Sequence, residues 1–184
     1  DLSFDEEKEM KELAVNCAPI DLSRFERKEE VGHGSFGSVS RVVEKGSGKV
    51  FAAKVNFNDL FHLSDVEVTN LSREVNILSM LSSPVVLKFV GYSPNDFDSE
   101  HRPTIVTEYI ATGSLGDVSI AERNGLSSHE WNDTKRLINI YGVASGMKYL
   151  HSKNVLHRDL KPDNVFIDEF LFPRIGDFGL AKVI

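Results

Sequence analysis

Three stretches combine residue types that chemistry needs. Gly32-His33-Gly34-Ser35-Phe36-Gly37-Ser38-Val39 has the form GxGxxGxV. Glycines lack a Cβ and let backbone amides close on phosphate oxygens, although an ordinary tight turn shares the composition. A dinucleotide fingerprint needs a helix directly after its glycines, and a strand pattern follows here; no GxxxxGKS or GxxxxGKT occurs either, so both phosphate sites are excluded. Lys54 stands in the otherwise apolar run Ala52-Ala53-Lys54-Val55, where an isolated lysine would snorkel its head to solvent. Glu74 is equally out of place between Leu71 and Leu78 at helical spacing, where a carboxylate without a partner is costly. A Lys54–Glu74 ion pair satisfies both. The densest polar cluster is His157-Arg158-Asp159-Leu160-Lys161-Pro162-Asp163-Asn164, followed by Gly176-Asp177-Phe178-Gly179. None of the six histidines has metal-ligand spacing, which argues against zinc.

Periodicity supplies the elements that must hold these residues. Residues 1–24 read as an acidic extension, with Ser3-Phe4-Asp5-Glu6 as a capping box and a solvated helix ended by Pro19. From Phe25 the pattern is of strands: 25–31, 39–43 and 50–55 form an antiparallel meander whose second turn is the glycine-rich 44–49. Residues 65–81 are helical in period. Residues 85–90 and 104–110 read as a hairpin with a long loop, and 111–116 as a linker between two lobes. A further helix opens at Ser127, with Glu130 completing a capping box and Leu137, Ile140, Ala144, Met147 and Leu150 along one side. Gly142 and Gly146 inside it each cost about 1 kcal/mol relative to Ala, which implies close packing against a neighbour. Short apolar pieces follow at 165–167 and 174–175.

Charge narrows the class. The 184 residues carry 28 acids against 21 bases, a net of −7, and ten of the acids with only five of the bases lie in the first 30 residues. The acidic balance without a basic stripe argues against a dedicated nucleic-acid or anionic-membrane binder. The apolar runs are too short for a membrane-spanning helix. The lone Cys17 excludes an internal disulfide framework and fits a reducing compartment; with no signal pattern read, the expected location is cytoplasmic.

The run HRDLKPDN over 157–164, with Asp-Phe-Gly after it and the glycine loop, Lys54 and Glu74 before it, resembles the eukaryotic protein kinases over residues 25–184. The resemblance implies an α+β, two-lobed protein kinase-like fold. Residues 25–110 would form an N-lobe of antiparallel sheet plus helix with the glycine loop and hinge. Residues 111–184 would form the first part of a mainly helical C-lobe. It implies ATP and Mg²⁺ as cofactors, with residues 32–38 of the glycine loop over the phosphates and Lys54, held by Glu74, on the α- and β-phosphates. Asp159 would accept or orient the substrate hydroxyl proton, Lys161 would contact the transferred phosphate, and Asn164 and Asp177 would hold Mg²⁺. Thr107 takes the gatekeeper place. Backbone groups of Glu108 and Ile110 would meet the adenine edge, Val31, Val39 and Ala52 would roof it, and Phe166 would lie beneath. Leu78, Phe89, His157 and Phe178 match the family's internal stack linking the lobes.

Lys161, two residues after Asp159, resembles the serine/threonine kinases, and Arg158 resembles kinases controlled by activation-segment phosphorylation. Glu108-Tyr109, Gly113-Ser114-Leu115 and residues 146–151 resemble the tyrosine-kinase-like branch of those enzymes. The implied partner is a protein with a Ser or Thr hydroxyl, with neither nucleic acid nor membrane; substrate identity and regulatory partners are not legible. An ATP-binding pseudokinase or scaffold is the alternative, opposed by the filled catalytic positions. A small-molecule phosphotransferase would not keep the LKPDN run. The resemblance also implies a catalytic unit continuing past Ile184 through an APE motif and later helices. The parent protein is therefore expected to be active, and this piece alone to expose apolar faces and turn over little.

Overall fold

β-Branched runs punctuated by glycine turns build the first half of the chain into a sheet. The structure, a computed structural model, describes residues 12–34 and 37–184. Ser35, Phe36 and most of the helix expected before Pro19 lie outside these. The described residues 12–21 are irregular rather than helical: Leu13, Val15 and Cys17 recur at a spacing of two and pack against the core. Strands β1 (Phe25–His33), β2 (Gly37–Glu44) and β3 (Val50–Asn56) make the meander, and β4 (Phe89–Ser93) and β5 (Thr104–Glu108) complete an antiparallel sheet of order β1-β2-β3-β5-β4.

The register fixes what each face carries. Val39 pairs with Lys54, Lys54 with Ile105, and Ala52 with Thr107, so these side chains share one face. The opposite face carries Val42, Ala53 and Val106, buried together with Leu22 and Phe25 under Ile20 and Phe97. Helix α1 (Asp65–Met80) opens on a capping box, Ser64 with Glu67. Its Val75, Ile77 and Leu78 enter a second core cluster with Tyr92, Ile105, Leu150, Val155, Ile175 and Phe178, which joins the two halves of the molecule.

Two expectations change here. The strand expected from residue 85 begins only at Phe89, because the backbone of 85–87 bonds the other lobe: Leu87 N–H donates to Ile175 O at 2.8 Å and Ile175 N–H to Val85 O at 2.9 Å. The linker of 111–116 runs straight into helix α2 (Leu115–Arg123), capped by Ser114 and Asp117.

Helix α3 (Asp133–Ser152) starts later than expected, capped by Asn132; ahead of it the Ser128 hydroxyl accepts from Glu130 N–H in a turn that tucks in the buried Trp131. Short strands β6 (Val155–Leu156), β7 (Val165–Ile167), β8 (Pro173–Ile175) and β9 (Lys182–Val183) pair as β6-β9 and β7-β8. The buried side of α3 is its glycine side, not the Leu137–Ile140 side. A Cβ on Gly142 would lie 2.5 Å from Pro173 Cγ, and one on Gly146 2.6 Å from Ile175 Cδ1. Leu137, Ile140 and Tyr141 consequently face outward. Gly146→Val should cost about 1–3 kcal/mol through overpacking, read as a lower thermal-unfolding midpoint. Ser145→Ala, at an exposed neighbour, should leave the midpoint unchanged.

Candidate active site

The sheet face carrying Val39, Ala52, Lys54 and Thr107 meets the glutamate of α1. Lys54 Nζ donates to Glu74 Oε1 at 2.9 Å; the Glu74 side chain is 10 % exposed and that of Lys54 37 %. Desolvation pulls the Lys54 ammonium down, but the charge and hydrogen bond of Glu74, with Asp177 beyond, outweigh it and hold the group above its ordinary value. Gly34 N–H closes the glycine loop onto Gly37 O at 2.9 Å. The His33 ring lies 4.8 Å from that of Phe57, with Nδ1 3.0 Å from Glu30 Oε1. Val31 is exposed, while Val39, Ala52, Thr107, Glu108, Ile110 and Phe166 are half-buried. Glu108 is tied twice to Lys88, the residue before β4, its N–H donating to Lys88 O at 2.9 Å and its Oε1 accepting from Lys88 N–H at 2.7 Å.

The second lobe brings the polar cluster together around a buried histidine. His157 Nε2 lies 2.9 Å from Gly176 O; a carbonyl can only accept, so Nε2 carries the hydrogen and Nδ1 accepts from Asp159 N–H at 3.3 Å. One ring thus fixes both the loop holding Asp159 and the strand end leading to Asp177. Asp159 Oδ2 accepts from Lys161 Nζ and from Asn164 Nδ2, each at 2.9 Å, and Asn164 Nδ2 also donates to Asp159 O at 2.8 Å. Arg158 and Asp177 both have positive φ, 64° and 55°, a costly backbone state for side chains other than glycine that the surrounding bonds impose. Arg158 Nε donates to Leu180 O at 2.7 Å. Phe178 packs 5.0 Å from the His157 ring and shares its cluster with Leu78 and Phe89, so the four residues expected to link the lobes are brought together.

The hydrogen bond from Lys161 holds the Asp159 carboxyl below its ordinary value, against some desolvation and with help from Asn164. A lowered carboxyl pKa means a contribution present above the ordinary carboxylate range and lost as pH falls through the lowered value. Lys161→Ala removes the first of these causes. The Asp159 titration, followed by its carboxyl carbon resonance, should move up toward the ordinary value of about 4.

The donor set fits a hard cation. Asn164 turns its Nδ2 toward Asp159, leaving the amide oxygen for a ligand. Asp177 is an exposed carboxylate within electrostatic reach of Lys54 and Lys161. Among the described residues no group of three or more His, Cys, Asp or Glu could hold a metal alone. Asn164 and Asp177 offer the one or two protein oxygens with which Mg²⁺ is ordinarily held together with phosphate and water.

The sequence reading missed two contributors. Glu108, expected to act through its backbone, also accepts with its carboxylate from Lys88 N–H just ahead of β4 and so steadies the hinge strand. Gly116 sits where a Cβ would overlap the Asp163 carboxylate, so α2 packs its first turn on the loop carrying Asn164. The Ser114…Asp117 capping spacing was the available signal for α2.

Comparison with known proteins gives the family. The family described as protein kinase domain matches residues 25–184. The chain is 32 % identical over 160 residues to NUAK family SNF1-like kinase 1 of Mus musculus, covering 87 % of this chain and 23 % of that protein. It is 35 % identical over 166 residues to the probable serine/threonine-protein kinase drkD of Dictyostelium discoideum, covering 89 % and 12 %. It is also 35 % identical over 161 residues to the serine/threonine-protein kinase CTR1 of Arabidopsis thaliana, covering 85 % and 18 %. The chain therefore spans less than a quarter of the length of these relatives. With a family match over residues 25–184, the chain belongs to the protein kinase domain family.

Proposed function

We propose that the protein carrying this chain transfers the γ-phosphoryl group of ATP, with Mg²⁺, to serine or threonine hydroxyls of proteins. The observation that carries the reading is the convergence of Lys161 and Asn164 on one oxygen of Asp159, with Asp177 within electrostatic reach of both Lys161 and the Glu74-paired Lys54. Phosphoryl transfer spreads negative charge over oxygens, so positioned cations and donors are what the site must supply. Lys54 meets the α- and β-phosphates, and residues 32–38 cover the phosphates, Ser35 and Phe36 among them. Val31, Val39 and Ala52 roof the adenine, Phe166 underlies it, and Glu108 and Ile110 offer it backbone groups beside Thr107. Asp159 orients the incoming hydroxyl and accepts its proton, while Lys161 follows the phosphoryl group. Asn164 and Asp177 would hold Mg²⁺, which when bound would supply positive charge against the phosphates.

Lys161 beside Asp159, the Glu108-Tyr109 hinge and the identity to CTR1 support a serine/threonine enzyme of the tyrosine-kinase-like branch. The free thiol Cys17 supports a reducing, cytoplasmic setting. A thermal-shift titration tests the nucleotide site. ATP with Mg²⁺ should raise the unfolding midpoint, by about 2.7 kcal/mol of stability at a hundredfold excess over Kd, and ATP with a chelator should raise it less. An unchanged midpoint at saturating ATP and Mg²⁺ contradicts the reading.

A further inference from the structure

Residues 13–20 form a strap across the far side of α1 from the candidate site. Asn76 grips it with both ends of its amide: Oδ1 accepts from Asn16 N–H at 2.7 Å and Nδ2 donates to Ala14 O at 2.8 Å. Leu13, Val15 and Cys17 pack against the cluster that contains Val75, Ile77 and Leu78 of α1. Farther on, Ile20 N–H donates to Tyr92 O at 2.7 Å at the edge of β4, and its side chain fills the space that any Cβ on Gly91 would take. The strap therefore ties α1 to the sheet edge. A groove of about 620 Å³ opens beside it, lined by Ala14, Asn16, Ser72 and Asn76, so solvent reaches the clamp and competes for its hydrogen bonds.

Asn76 stands two residues after Glu74 on the same helix, and the two side chains work on different neighbours: Glu74 on Lys54 of β3, Asn76 on the strap. A rigid helix gripped on one side cannot roll without moving the other. We propose that the strap sets the position of α1 and that Asn76 is a positioning residue for the Lys54–Glu74 pair, so that release of residues 13–20 loosens that pair. The consequence for nucleotide binding rests on the function proposed above for Lys54; the coupling between strap and pair does not.

The test therefore reads the pair directly, in the full-length protein without nucleotide. Acylation of individual lysines by acetic anhydride is timed by mass spectrometry. An amine reacts only when unprotonated and reachable, and its pairing with Glu74 slows Lys54 on both counts. Asn76→Leu keeps the helix and removes both clamp bonds. Asn16→Pro removes one of them from the strap side and leaves α1 untouched, so it decides the matter if the helix variant does not fold. Each should speed Lys54 acylation about fivefold, the size of coupling carried by residues remote from a site. Lys161, ion-paired to Asp159 in the other lobe, and exposed Lys45 should keep their rates. Unchanged Lys54 acylation in the folded variants overturns the proposal. So does equal acceleration of Lys54 and Lys161, the mark of a generally loosened fold. Binding of ATP with Mg²⁺ is measured on the same samples: wild-type protein that fails to bind it overturns the proposed function alone, while the lysine rates still decide the strap.

Discussion

Asp159→Asn should lower phosphoryl transfer by about a thousandfold, within the range a positioned general base contributes, and should leave the affinity for ATP with Mg²⁺ close to that of the wild type. The change is isosteric and keeps one side-chain oxygen, which can still accept from both Lys161 Nζ and Asn164 Nδ2, now without the charge, while the new NH2 takes the place of the other oxygen. The loop should not rearrange, because its backbone is fixed elsewhere, by His157 Nδ1 on Asp159 N–H and by Gly176 N–H on Asn164 O at 2.9 Å. Steady-state kinetics with separate determination of nucleotide Kd checks this result. Equal loss of binding and turnover would place Asp159 in the fold rather than in the chemistry.

Lys54→Met has the next largest effect. It should cut kcat/KM by about a hundredfold to a thousandfold, as removal of one charge-stabilising donor does elsewhere, and it leaves the Glu74 carboxylate buried without its cation. Breaking a fully buried pair costs about 3–5 kcal/mol. Here the lysine is 37 % exposed, so about 1–2 kcal/mol of lost stability is expected instead. Glu74→Gln keeps a hydrogen-bond acceptor and should lose less in both respects. The wild-type pair persists below the ordinary lysine range and is lost only as pH rises through the raised Lys54 value, so nucleotide affinity should not fall through titration of this pair between about pH 6 and 9. Denaturant titration and nucleotide binding across that range measure both quantities. An affinity in Lys54→Met equal to wild type would remove the lysine from the site.

The residues of the candidate site were legible because the chemistry demands particular types in a particular order. A lysine among alanines and a glutamate on an apolar helix face announced each other, and the structure sets them 2.9 Å apart. Strand alternation likewise fixed which side chains share a face, since pairing in register leaves no freedom once Lys54 faces inward. What did not read out depended on partners distant in sequence. The backbone of 85–87 had the apolar run of a strand, but its hydrogen bonds go to Ile175 in the other lobe. On α3 the apolar residues suggested one buried side, whereas the two glycines decided the contact by letting β8 approach. The path of residues 12–21 was hidden for the same reason: acidity ahead of Pro19 suggested a solvated helix, and α1 and the sheet edge supply the surfaces that hold the segment in place.

The most direct test of phosphoryl transfer uses the purified full-length protein with γ-labelled ATP, Mg²⁺ and a mixed peptide substrate, followed by phosphoamino-acid analysis. Label on serine or threonine in the wild type, absent in Asp159→Asn, is the predicted result. Label that persists in Asp159→Asn, label confined to tyrosine, or no transfer by protein shown to bind ATP with Mg²⁺ would contradict it.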